Sequence, residues 1–549
     1  MIQTIAVNDF TGGLNYRADA FQLANNESPD MQNVDVDPRG GFSSRGGIID
    51  YSTAAVGGAT AGAFTPRRLF GWDGAYKHLM IAANDKVFWT ADGIISSSIS
   101  NTDNPYGASF APWAVGSSSL VYIACGHSNV GKKWSGTTTT SLTASATGAW
   151  QDSYASPTGT HMPKANLVAT HLDRLWVADT NENSTSYPNR IRFSHPGFAE
   201  SWRELDYIDV TGGGSGITAI IPFGDQLLIF KKRAVYALMG YDEETFQLVP
   251  LTTEIGAVNA QCVAVTEQGV FFFSWPDGLF VYNGTAFTDL FVPLRPLLQT
   301  GEITETSMGG VYVSWVGRRI FVSLPLGVDP QDIETYNQST ITYDNADTKY
   351  GGNTRATTPT ASFVWDQTIR EGGAWTKYVT GDGYGLGPGI DFIQSTGRRV
   401  PVFAHVYQPA IIEINKQDIH TDTIRGTEHT FDAYYYTRWQ DADASSAKKF
   451  WRRPEMVVRQ LGHNTTIDVE VYHNWNRATT DRSFSVALDA REIGGGYESW
   501  VSPDLGSDLA KGNNLGLANS VQLKISTNGS NPWGINSISF KFNPRRVRA

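Results

Sequence analysis

Apolar residues in this chain come in short runs, and polar turns cut those runs at nearly regular intervals. In "RRLFGWDGAYKHLMIAANDKVFWTADGII" strands are predicted around 67–71, 78–83 and 86–90, with turn pairs Asp73-Gly74, Asn84-Asp85 and Asp92-Gly93. The plan returns at 119–137, 166–180, 217–240, 262–284, 309–327 and 398–415. Its unit is an apolar strand, a short turn, a second apolar strand, another turn and an aromatic-ended strand. The unit recurs at roughly 45 to 55 residues, a spacing that points to the blades of a β-propeller. One small antiparallel sheet cannot bury both faces, whereas sheets packed around an axis bury each other. In "FSWPDGLFVYNGTAF" (273–287), Asp277-Gly278 and Asn283-Gly284 supply turn geometry that the flanking β-branched and aromatic residues cannot. Asp277 therefore reads as a hairpin turn and not as part of an active site.

Four segments depart from this texture. Residues 1–63 form an extended N-terminal arm, rich in Gly, Asn and Asp and without helical period, which must be held by the body it lies on or by a neighbouring subunit. Within the propeller, 64–426, polar insertions fall near 135–161 and 329–360. Residues 427–549 carry longer alternating strands and read as a β-sandwich-like domain. The predicted fold is all-β: a propeller of six to eight blades with an arm at one end and a sandwich at the other. The best short helix signal is "FAESWREL" at 198–205.

Composition agrees with many strands and tight turns. The 549 residues include 55 Gly but only 7 Met, with 12% aromatic and 18% charged residues, unlike a helical bundle or a disordered chain. A net charge of −11 argues against a protein that grips nucleic acid through a broad basic face. The only cysteines, Cys125 and Cys262, lie in apolar strand-like runs and read as buried free thiols, which fit a reducing compartment. The start "MIQTIAVNDF" lacks the features of a signal peptide, and no apolar run approaches the roughly 20 residues that span a bilayer. These features predict a soluble protein made in a cytoplasm.

Several motifs resemble chemistry and fail on context. "GHSNVGKK" (126–133) has phosphate-loop spacing, but Lys133 takes the hydroxyl position and no helix pattern follows. "GDGYGLGPG" (381–389) runs into Pro388 where a dinucleotide-binding helix would start. The ten histidines form no H-x-x-x-H with an acidic partner, and turn chemistry accounts for "DVDPRG" and "DADAS". No G-x-S-x-G occurs, and "SWPDGLF" at 274–280 lacks sialidase-type spacing. Distant carboxylates assembled into a glycosidase site remain an alternative. No residue is assigned to catalysis, a cofactor or a metal. Two basic clusters stand out: Lys448, Lys449, Arg452 and Arg453, interleaved with aromatics, and the tail residues Arg545, Arg546 and Arg548. The plainer reading of the first is a strand whose outward residues pair with acidic neighbours.

The order of the segments resembles the tail tubular protein B, or nozzle, family of short-tailed bacteriophages, with its related head–tail stabilisation proteins. The opening carries F-x-G-G-L-N (Phe10 to Asn15), N-V-D (Asn33 to Asp35) and S-R-G-G (Ser44 to Gly47). "NRIRFSHPGFAESW", "GITAIIPFGDQLLIFKKRAVYALMG" and "EIGAVNAQCVAVTEQGVFFFSWPDGLFVYNG" resemble the family's central blades, and "GINSISFKFNPRRVR" its last strand. The resemblance implies a non-enzymatic virion protein assembled in the bacterial cytoplasm. It would form a homo-hexameric ring under the tail adaptor ring, pass double-stranded DNA transiently through a central channel, and carry fibres or adhesins outside. Arg17, Arg39 and Arg45 on the arm and Lys448, Lys449, Arg452 and Arg453 on the last domain are the candidate interface or DNA-facing residues. The arm would reach a neighbour in the ring. The alternative function is a tail-tip receptor- or glycan-binding propeller.

Overall fold

The computed structural model describes residues 2–544 except 19–21, 53, 62–65, 75, 96–98, 100–106, 116–117, 145–159, 300–302, 328–357, 417–418, 460–464, 489–498, 502–513 and 528–530. Most of the two polar insertions and the basic tail at 545–548 thus lie outside the described residues.

The strands form the expected repeated meanders. Seven sheets follow one another as blades I to VII, at 66–90, 109–141, 164–209, 217–252, 263–289, 312–378 and 386–416. Each blade pairs sequential antiparallel strands, and blade I has three, extended by a bridge from Val87 to Ile99. The first strand of each blade packs on the first strand of the next, and Leu386–Ile393 of blade VII packs back on Pro66–Asp73 of blade I, which closes the ring.

Apolar packing runs between blades, which is why a single meander would not be stable alone. Trp72, Met80 and Val87 of blade I bury against Phe110, Val121 and Ile123 of blade II. Phe321 and Val364 of blade VI bury against Phe403 and Ile412 of blade VII. Near the axis, polar groups bridge blades: Arg68 Nη1 donates to Ser109 Oγ at 3.1 Å and Tyr312 OH to the Pro66 carbonyl at 2.8 Å. In the hairpin at 273–287, Gly278 (φ 106°) starts strand Gly278–Tyr282, and Asn283 Oδ1 accepts from the amides of Thr285 and Ala286 to fix the next turn.

The arm supplies the closing strand. Gly47–Asp50 pairs antiparallel with Ile411–Lys416, the third strand of blade VII, and so becomes its fourth. The sheet continues through Asp422–Ile424 to Thr427–His429. Other arm strands enter the distal domain. Gln3–Val7 and Phe42–Ser44 pair with the last strand, Gly534–Pro544, in an eight-stranded sheet, while Met31–Gln32 joins the five-stranded sheet facing it. Phe10 and Phe42 fill the space between those sheets. The Phe42 ring stacks on Tyr435 at 4.3 Å and meets Trp533 edge-on. Every described arm strand pairs inside its own chain, where its buried aromatics pack between the distal sheets.

The short helix expected at 198–205 does not form. Pro196 and Gly197 open a loop there, and buried Trp202 anchors it by donating from Nε1 to the His161 carbonyl at 2.9 Å. The one α-helix among the described residues is Pro296–Gln299.

Candidate functional site

The three motifs of the N-terminal arm converge on one seam between blades VI and VII and the distal domain. Close backbone approach begins it. A Cβ on Gly13 (φ +67°) would lie 2.6 Å from the Trp375 carbonyl of blade VI. One on Gly47 would lie 2.4 Å from the Thr421 carbonyl. Glycine is required at both positions by what lies against them.

Asn33 is the hub. Its backbone sits at φ 53°, a conformation asparagine tolerates better than most residues. Its Oδ1 accepts from Arg45 Nε and from the Val379 amide, both at 2.9 Å, while Nδ2 donates to the Asp432 carbonyl at 2.8 Å. One short side chain therefore holds the arm, blade VI and the start of the distal domain.

Arg45 is enclosed. Nη1 and Nη2 donate to the two carboxylate oxygens of Asp422 at 2.9 and 2.6 Å, and also to the carbonyls of Gly46 and Val379. Its guanidinium lies 3.8 Å from the Phe431 ring centroid. Asp422 also accepts the Gly381 amide at 2.8 Å. The forked geometry and the added hydrogen bonds are what a desolvated ion pair needs to persist.

Asp35 makes the second tie. It accepts from Arg319 Nη1 at 2.9 Å and from Tyr378 OH at 2.5 Å, and Arg319 Nε reaches Asp366 at 2.9 Å. Burial, and then the Asp35 carboxylate, push the Tyr378 hydroxyl far above the ordinary phenol range. Asp35, above all, holds the Arg319 proton more tightly than usual. A third tie gathers Tyr16, Lys377 and Tyr434 around Asp30 at 3.3 to 3.4 Å. The arm is thus fastened by acids at 30 and 35, which both reach the blade VI strand Ala374–Tyr378, and by a cation at 45 that reaches Asp422.

The candidate cations separate into two groups. Arg45 and Lys449 are interior, contrary to the expectation that they face DNA or a partner. Lys449 Nζ donates to the carbonyls of Ala444, Ala447 and Asn519, and its ammonium is held within its own domain. Strand alternation explains it: Lys449 and Trp451 point inward, while Lys448 and Phe450 point out. Arg17 and Lys448 are exposed, and Arg452 and Arg453 are half-buried. Arg39 is exposed and donates from Nε and Nη2 to Asp37 two residues earlier. Asp422, Asp35, Arg319 and Asn33 escaped the sequence reading because no local signal marks an aspartate whose partner is hundreds of residues away. Only the unexplained N-V-D and S-R-G-G motifs pointed towards them.

The tempting motifs have structural roles. "GHSNVGKK" connects strand Ser118–Ala124 to strand Lys132–Trp134; His127 Nε2 lies 3.1 Å from Asp179, and Lys133 pairs with Glu200 at 2.8 Å. "GDGYGLGPG" turns into strand Leu386–Ile393. Both cysteines are buried thiols outside any disulfide, as expected, and burial pushes the Cys262 thiol up to about 12. A groove of about 330 Å³ opens between the outer strands of blades III and IV, floored by Phe193, Leu238 and Phe246 and rimmed by Arg203, Leu205 and Glu243. No described helix is long and apolar enough to cross a membrane.

No model of a known protein family matches the chain, and no curated protein matches it. Solved structures are similar to about two thirds of the chain. BBS1N in complex with ARL6DN is 10% identical over 67% of this chain and 97% of its own, with a TM-score of 0.39. A catalytically inactive virginiamycin B lyase from Staphylococcus aureus with quinupristin is 10% identical over 67% of this chain and 98% of its own, at 0.38. An ancestral GH74 enzyme is 10% identical over 68% of this chain and 53% of its own, at 0.39. Likenesses this slight carry no argument about activity, substrate or partner.

Proposed function

We propose that this chain is a structural virion protein, a subunit of a ring-shaped tail nozzle in a short-tailed bacteriophage. The ring extends the DNA channel below the adaptor, retains the packaged genome and lets DNA pass on infection. One observation carries the reading. The F-x-G-G-L-N, N-V-D and S-R-G-G motifs, on which the family resemblance rests, are the residues that brace propeller, arm and distal domain against each other. In a conduit that resists the pressure of packaged DNA, a subunit needs its domains locked, and these motifs do that work through Asn33, Asp35 and Arg45. The net charge of −11 suits a passage that must not hold its cargo, because each phosphate contact adds affinity. Adaptor ring, fibres and DNA are the partners this reading names.

The test is the mass of the native assembly by light scattering, followed by particle imaging of virions. A ring of about six copies located at the base of a short tail supports the reading. A stable monomer that never joins a virion overturns it. A glycan-binding propeller then becomes the reading to pursue, by screening glycans for binding and cleavage.

A further inference from the structure

Eleven large apolar side chains are exposed among the described residues, and five of them lie in two places of opposite charge. The first place is the outer face of the eight-stranded distal sheet. Phe450 stands opposite Leu517 on one side and Asn543 on the other. Gln3 stands opposite Phe542, which brings Ile2 into line with Asn543. Ile2, Phe450 and Leu517 are 50%, 39% and 41% exposed, so Phe450 and Leu517 make an apolar pair in open solvent, and half-buried Asn543 separates them from Ile2 just before strand Gln3–Val7. Exposed Lys448 and half-buried Arg452 flank Phe450.

The second place is the rim of the groove between blades III and IV. Leu205 is 81% exposed there beside Tyr207, and exposed Tyr241 lies two positions before Glu243 of the rim. Arg203 pairs with Asp206 and Glu243, and exposed Glu204, Asp242 and Glu244 add negative charge beyond those pairs.

We propose that these two faces bind each other between copies of this chain: the basic apolar pair of the distal sheet of one copy docks on the acidic apolar rim of blades III and IV of the next. The choice of a second copy follows from complementarity. One chain carries both halves, apolar against apolar and cation against carboxylate, on separate domains. Apolar contact supplies the burial, and the opposed charges set register and exclude other pairings. Unlike faces that meet make a head-to-tail contact, which closes into a ring when the rotation allows. The inference rests on the ring reading above and names the surfaces that build it.

Charge reversal tests it on the full chain, by light scattering over a concentration series. The variant Lys448→Glu/Arg452→Glu and, separately, Glu204→Lys/Glu244→Lys should each weaken assembly about tenfold or more, because like charges then face each other. The chain carrying all four reversals should recover assembly, which a merely misfolded variant would not do. A wild-type ring unchanged by either pair overturns this contact and leaves the ring reading standing. Loss in both pairs without recovery in the combined chain also overturns it, because the two faces then serve different contacts. A monomeric wild type overturns the ring reading itself, and this contact with it.

Discussion

The guanidinium of Arg45 and the carboxylate of Asp422 meet through hydrogen bonds of 2.9 and 2.6 Å although 377 positions separate them in the chain. Neither side chain touches solvent appreciably, at 2% and 0% exposure. Arg45→Met leaves the Asp422 charge enclosed without its partner, and is expected to cost about 3–5 kcal/mol of stability. The double variant Arg45→Met/Asp422→Leu removes both charges and should regain much of that loss. Urea unfolding of the two variants and the wild type measures the difference. A single variant as stable as the wild type would show the pair to be incidental.

Gly47 makes a steric prediction. Its added Cβ would stand 2.4 Å from the Thr421 carbonyl and 2.7 Å from that of Ile419, and backbone atoms cannot swing aside as a flexible side chain can. Gly47→Ala should destabilise by about 1–3 kcal/mol and loosen the fourth strand of blade VII. Limited proteolysis, compared with the wild type, should then cut first in the arm.

Removing the arm has a larger consequence. A chain beginning after Tyr51 lacks the strand that pairs with Ile411–Lys416 and lacks Phe10 and Phe42 between the distal sheets. It exposes an unpaired sheet edge and an apolar cavity together. The expected outcome is aggregation on expression, measured as the soluble fraction. Restoration by a co-expressed arm peptide would place the defect in the missing pairing.

Mild acid should act through His78. Burial lowers its pKa, Trp134 Nε1 approaches its Nδ1 at 3.5 Å, and Trp89 lies 4.5 Å away. The folded chain resists the proton that the unfolded chain takes up near the ordinary imidazole value of 6.5. Stability is therefore present above that value and is lost as pH falls below it, until the folded form titrates too. His171, lowered chiefly by burial, adds in the same direction. The Tm should drop between about pH 7 and pH 5.5, and His78→Phe should flatten part of that drop. An unchanged slope in the variant would assign the acid sensitivity elsewhere.

Much of the architecture is legible before any coordinates. Turn pairs such as Asp73-Gly74 and Asn283-Gly284 act within a few residues, and apolar alternation reports burial strand by strand. The blade plan, the buried thiols of Cys125 and Cys262 and the strand Lys449–Trp451 within the basic cluster follow from such local rules. The helix expected at 198–205 failed for a tertiary reason: Trp202 gains more from burial and a bond to the His161 carbonyl than the segment gains from one helical turn.

The sequence by itself determined the all-β repeat, because strand period and turn chemistry depend on chain neighbours. It also marked the arm motifs as special without saying why. Only the tertiary structure decided that Gly47–Asp50 completes blade VII, that Arg45 and Lys449 turn inward while Lys448 stays outside, and that Asn33 joins three elements. Those outcomes depend on what lies across a sheet or a seam. A charge or a glycine reads the same in sequence whether its contact is water, a carbonyl or a carboxylate hundreds of residues away.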